Sequence, residues 1–237
     1  MTLLQMVKFL RESILDDIGG TGVVWQDITE DLDEAQQLRW TNEELTSFLN
    51  EAIRTACRSA MLIKEENALF DIAVTADQAT YALHEKVLEV LDAYYDSNGK
   101  SLTKVEIEEI RSNPSWRTQT SEMPLYYIVD YNTGTITLYP TPSASETIHI
   151  FATRLPLTDL DWAYAETDTH ELNSRYDLPF IHGAAYFAYM KDEANSFDPG
   201  RSEYFRNLFE REFGHLSHYG ANRRSRTKNK TIRYGGL

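Results

Sequence analysis

One cysteine, Cys57, in 237 residues excludes an internal disulfide and leaves the fold to packing alone. Cys57 lies on the apolar side of a helical pattern, where a small buried hydrophobe is the expected role. No run of about 18 apolar residues occurs, so a membrane-spanning helix is not expected. The amino-terminal MTLLQMVKFLRESILDD mixes Lys8, Arg11 and Glu12 into its apolar pattern and offers no small-residue cleavage site, unlike a secretory signal. A soluble protein with no membrane partner is the expectation.

Catalytic signatures are equally scarce. Gly19-Gly20-Thr21-Gly22 ends a helical pattern instead of following a strand and lacks the Lys-Ser/Thr of a phosphate loop. No G-x-S-x-G elbow is present, as a hydrolase of that class would need. The paired acids Glu43-Glu44, Glu65-Glu66 and Glu108-Glu109 are adjacent, so on a helix they diverge instead of converging on a substrate. Of six histidines, His215 and His218 have the only helical spacing suited to a metal pair. Zinc needs three or four convergent ligands, and no thiolate or patterned carboxylate stands near them. His149 falls in a strand pattern and His182 on a packed helix, where hydrogen-bonded structural roles are expected; His170 lies in an acidic loop. No enzyme activity, cofactor or metal is expected.

What the sequence has in abundance is negative charge, 37 Asp and Glu against 23 Lys and Arg. One stretch escapes it. Phe213 to Leu237 holds no acid but carries Arg223, Arg224, Arg226, Lys228, Lys230 and Arg233. Setting those six aside leaves 17 basic against 37 acidic residues, a body of −20 with a tail of +6. Such asymmetry marks an interaction arm. Beyond Tyr219 the tail's sizeable apolar side chains are Ile232, Tyr234 and Leu237, too few to offset the entropy of ordering. It is expected to be disordered until it meets a partner, and a protein groove suits it better than DNA, which the acidic body would repel.

The remainder reads as globular, with 42% hydrophobic and 12% aromatic residues, enough for a core. Leu3, Val7, Leu10, Ile14 and Ile18 predict a first helix of about 16 residues, ended by Gly19-Gly20. Thr41 with Glu44 forms a capping box. It opens a helix from Asn42 to about Lys64 with an apolar stripe of Leu45, Phe48, Leu49, Ala52, Ile53, Ala56, Cys57 and Ala60. The period then changes. Phe70, Ile72 and Val74 alternate, Ala76-Asp77-Gln78 reads as a turn, and Val87 to Tyr95 reads as a strand before the hairpin signal Asn98-Gly99. Thr103 with Glu106 reads as a second capping box, opening a short helix to about Arg111 that Pro114 ends.

A hairpin of Leu125 to Asp130 and Thr135 to Tyr139 follows, closed by Pro140 and Pro142, then a strand from Thr147 to Thr153. After an acidic loop, Phe180, Ile181, Ala184, Ala185, Phe187, Ala188 and Met190 predict a central helix. Asp198-Pro199 opens the last one, with Tyr204, Phe205, Leu208, Phe209, Phe213 and Leu216 as its apolar side. The predicted class is α+β, mainly α: a helical bundle built from both ends of the chain, with an inserted antiparallel β subdomain and an extended carboxy-terminal tail. The divisions are residues 1–66, 67–156, 157–220 and 221–237.

The order WTNEELTSFLNEAIRTACRSA, DIAVTADQATYAL, Pro114-x-Trp116, MPLYYIVDYNTGTITLYPTPS, RLPLTDL and FIHGAAYFAYMKDEA resembles the head-to-tail adaptor, or connector and head-completion, proteins of tailed bacteriophages. The resemblance covers about residues 38 to 216, and Pro124, Tyr127, Gly134 and Leu138-Tyr139-Pro140-Thr141-Pro142 carry its most specific part. It implies a non-enzymatic ring protein of the virion neck, made in the host cytoplasm. Such a protein docks beneath the portal protein, contacts neighbouring copies in a twelve-fold ring, extends the channel for genomic DNA without binding it specifically, and receives tail or nozzle proteins. It further implies that Arg223, Arg224, Arg226, Lys228, Lys230, Arg233 and Tyr234 form a portal-binding anchor. An acidic body suits a DNA channel, because a basic lumen would retain phosphates. Two rivals remain open: a nucleic-acid-binding module acting through the tail, and a hydrolase or metalloenzyme centred on His215 and His218.

Overall fold

A computed structural model describes residues 1–17, 39–191 and 197–215. The protein is α+β, with helices and largely antiparallel sheets. Its contacts separate into two compact units: one drawn from Met1–Ala60 and the described residues from Pro156 onward, the other from Met61–Leu155.

In the first unit, α1 (Leu3–Phe9) opens with a reciprocal cap in which Gln5 N donates to Thr2 Oγ1 and Thr2 N to Gln5 Oε1. The predicted regular 16-residue helix is corrected here: Leu10–Leu15 is wound as a π-helix, and Asp16 ends it in the left-handed region at φ 49°. The wider turn shifts the buried stripe by one position, so Leu15 faces the core instead of Ile14. Ile18 and Gly19-Gly20 lie outside the described residues. α2 (Asn42–Ala60) carries the predicted box, with Glu44 N donating to Thr41 Oγ1 at 3.1 Å and Thr41 N to Glu44 Oε2 at 2.9 Å. Leu45, Leu49, Ala52, Ile53, Ala56 and Cys57 are buried along it. The helix stops at Ala60, short of Lys64, because Met61 adopts φ 50°.

α4 (Asp177–Met190) is apolar on most of its circumference and packs against α1, α2 and α5 (Pro199–Phe213). Asp198 caps α5, accepting from Arg201 N at 3.0 Å with Pro199 in the first turn. Phe209 and Phe213 are buried and Phe180 stacks on Phe213 at 5.5 Å. Tyr204, expected on the apolar side, is 59% exposed. The buried stripe runs through Ser202, Phe209 and Phe213, and Tyr204, two residues after Ser202, is turned about 200° away from it. Leu216 lies outside the described residues.

The second unit is organised by its last strand, β10 (Glu146–Arg154). Antiparallel to it run β1 (Ile63–Glu66), β2 (Ile72–Val74) and β4 (Val87–Tyr95). A second sheet has the order β3 (Thr80–Ala82), β8 (Thr135–Tyr139), β7 (Tyr126–Val129), β5 (Thr103–Lys104). The β7–β8 hairpin forms as expected, in register Tyr126 with Tyr139 and Val129 with Ile136, its turn using positive φ at Asp130 and Gly134. Gly99 likewise has φ 66°, but the chain returning from it pairs only at Tyr94 with Ser101 instead of forming a full hairpin.

Three further expectations need correction. Residues 63–66 form a strand, not the end of α2. Thr103 does not cap a helix: it lies in β5, its N–H donating to Leu125 O at 2.8 Å, and the short helix α3 (Ile107–Arg111) begins after Glu106 with no side-chain cap. Pro142 does not close the hairpin, since β9 (Thr141–Pro142) pairs with β6 (Thr120–Ser121). That pairing, like β5 with β7, is parallel. Among the described residues no helix is long and apolar enough to cross a membrane.

Candidate functional site

The proposed anchor residues Arg223, Arg224, Arg226, Lys228, Lys230, Arg233 and Tyr234 lie outside the described residues, as does His218. His215 is described, with Nε2 at 3.5 Å from Glu210 Oε2 and its side chain 47% exposed. Among the described residues no group of three or more His, Cys, Asp or Glu is placed to hold a metal ion. Each of the four remaining histidines has an identifiable neighbourhood, His84 lying beside Phe70 with its Nδ1 accepting from Lys86 N at 3.1 Å. His170 Nε2 stands 2.7 Å from Asp177 Oδ1 with its ring edge-on to Phe180. His182 lies beside Phe205, and burial, with the nearby Arg211 charge, pushes its pKa down.

His149 on β10 is held from both sides, Nε2 at 3.0 Å from Asp96 Oδ1 and Nδ1 at 3.0 Å from Asp71 Oδ2. Neutral imidazole donates from one nitrogen only, whereas imidazolium donates from both. Hydrogen bonds to Asp96 and Asp71 accordingly raise the pKa of His149 against a desolvation penalty. The group ties the residue before β2 and the residue after β4 to the central strand. It is a structural clamp, with the Tyr94 ring packed against the imidazole at 5.2 Å.

The residue that sequence reasoning missed is Arg11, which is 1% exposed. Its Nη1 donates to Asp17 Oδ2 at 2.6 Å, and its Nη2 to Trp40 O at 2.7 Å and Asn42 Oδ1 at 2.9 Å. Asp17 in turn accepts from Arg39 N at 2.9 Å. Burial raises the Asp17 pKa despite that backbone donor and the Arg11 charge. Trp40, also buried, donates from Nε1 to Ala188 O at 3.2 Å. These bonds fasten the π-helical turn and the start of α2 to α4. The spacing of Leu3, Val7, Arg11 and Leu15, four residues apart, was the available signal.

The acidic stretch from Asp159 to Glu171 is ordered rather than open. Asn50 brackets Leu160, accepting from its N–H at 2.9 Å and donating to its carbonyl at 2.9 Å. Arg54 pairs with Asp159. Glu171 accepts from the N–H groups of Leu157 and Thr158, while Leu3 N and Leu4 N donate to Asp168 O and Ala165 O. The loop thus presents a fixed acidic surface with Tyr164 67% exposed at its tip.

The second unit has its own net charge of −7, from 14 acidic and 7 basic residues between 61 and 155. A groove of about 360 Å³ is lined by Val105, Glu109, Ile110, Asn113, Tyr126 and Tyr139. Tyr126 and Tyr139 stack at 6.1 Å across the β7–β8 pair. The Tyr139 hydroxyl is fixed by Gln119 and by Asn113 Nδ2 at 3.3 Å. Beyond α3, Trp116 meets Tyr131 edge-on at 6.2 Å with Arg117 over the indole. Hydrogen bonds from Arg117 and then Arg111 hold the Tyr131 phenol below its ordinary pKa.

The described surfaces combine aromatic and acidic faces with side chains held in hydrogen-bond networks. A family model described as SU10 adaptor protein matches residues 1–233. No curated protein matches the chain.

Proposed function

The chain belongs to the SU10 adaptor family, a family of phage head–tail adaptors, and on that premise we propose that it forms a ring under the portal of the virion neck. The ring extends the DNA channel and presents a platform for tail components. Arg223, Arg224, Arg226, Lys228, Lys230, Arg233 and Tyr234 anchor it between portal subunits. The family match over nearly the whole chain carries this reading, and the charge distribution supports it. A body of −20 keeps passing phosphates from adhering to a channel wall, while a tail of +6 complements an acidic or carbonyl-lined protein groove. The contact between copies is heterologous, so rotation about the portal axis closes it into a ring.

Mass photometry of the protein, alone and mixed with a portal ring, tests this. The expected outcome is saturating addition of one adaptor per portal subunit, lost when residues 221–237 are deleted. Equal binding by the deleted protein would overturn the anchor assignment. Tail-dependent binding to duplex DNA without portal binding, weakening with salt at a slope of about −0.9 per phosphate contacted, would favour the nucleic-acid reading.

A further inference from the structure

We propose that the groove between α3 and the β7–β8 hairpin is a seat for a basic side chain from the carboxy-terminal segment of a second copy of this chain. The two stacked tyrosines supply aromatic surface, with Tyr126 exposed at its mouth. Glu109 stands on the wall, and among the described residues no hydrogen bond or ion pair engages its carboxylate. Val105 and Ile110 complete an apolar lining suited to the methylene stem of Lys or Arg. A cation over an aromatic face beside a carboxylate is held by both at once. An acidic occupant would meet Glu106, Glu108 and Glu109 on this helix and its cap, and a nucleic acid would meet a unit of net charge −7.

The chain itself contains the complementary segment. Phe213 to Leu237 carries six Lys and Arg with no acid. The 22 residues from 216 to 237 span up to about 75 Å when fully extended, long enough to reach a neighbouring copy. The inference rests on the proposed function in one respect only: the same segment then has two seats, so the groove holds it in the free protein and portal binding withdraws it. Occupancy of the groove is tested without any portal, so failure of either reading is seen separately.

The test is photo-crosslinking with benzoylphenylalanine in place of Tyr126, in a mixture of isotopically light and heavy full-length protein at micromolar concentration. The expected result is adducts joining light to heavy chains and mapping to residues 221–237. Glu109→Lys lowers their yield about tenfold and Glu109→Gln about threefold, as expected for an exposed cation–π contact coupled to an ion pair. Glu108→Gln, one position away and outside the groove, leaves the yield unchanged. Absence of adducts to 221–237, adducts confined to a single copy, or equal yields with Glu109→Gln and Glu109→Lys would each overturn the proposal.

Discussion

Replacing Gly183 with alanine sets two effects of opposite sign against each other. Gly183 is buried in α4, and a Cβ built on it would stand 2.7 Å from the Ala52 Cβ of α2 and 2.8 Å from two ring carbons of Phe209 on α5. On helix propensity alone alanine stabilises by about 0.8–1 kcal/mol. Overpacking a tight core costs about 1–3 kcal/mol, and neither neighbour can yield easily: Ala52 is 0% exposed, and Phe209 is 3% exposed and wedged against Phe213. The net expectation is a loss of about 1–2 kcal/mol. At roughly 2–4 °C per kcal/mol for a chain of this size, thermal unfolding followed by circular dichroism falls by about 2–8 °C. Phe209→Leu removes ring atoms from the clash, so it should cost less in the Gly183→Ala background than alone, with a coupling of about 0.5 kcal/mol or more. A Gly183→Ala protein that melts higher than the parent would refute the close-approach reasoning.

Removing Arg11 leaves the buried Asp17 carboxylate without its partner. Arg11→Met should destabilise by about 3–5 kcal/mol in urea unfolding, with part recovered by adding Asp17→Asn. Thr41→Ala should cost about 1 kcal/mol, whereas Thr103→Ala, in the same sequence pattern but without the cap, should cost under about 0.5 kcal/mol; equal losses would contradict the assigned caps. The raised pKa of His149 fixes the sign of a pH effect. Its stabilisation is fully present below the unfolded-state value of about 6.5 and disappears as pH rises through the folded value. Chemical denaturation across that window should show the parent losing up to about 1 kcal/mol relative to His149→Gln, and nitrogen NMR should find both ring nitrogens protonated at pH 6.

Wherever a local pattern has a local cause, the sequence was legible. The Thr41–Glu44 box closes within one turn, Asp198-Pro199 initiates α5, and Gly134 permits the hairpin turn whatever the rest of the chain does. The same local logic misread Thr103 and Glu106, because an identical spacing was drawn instead into a parallel pairing with β7, a partner more than twenty residues away. It also missed β1, which exists because β10 offers a free edge to residues 63–66. The groove assembles Val105 just after β5, residues in and just after α3, and one tyrosine each from β7 and β8, so no window of sequence contains it. Charge and family were determined by the sequence itself, since an acidic body, a basic segment and a chain-long family pattern are one-dimensional properties. Tertiary structure alone decided that Arg11 is a buried strut, that Gly183 is a point of helix contact and that Glu109 stands beside two tyrosines. Each of those roles depends on what packs against the residue, and the packing partners come from distant parts of the chain.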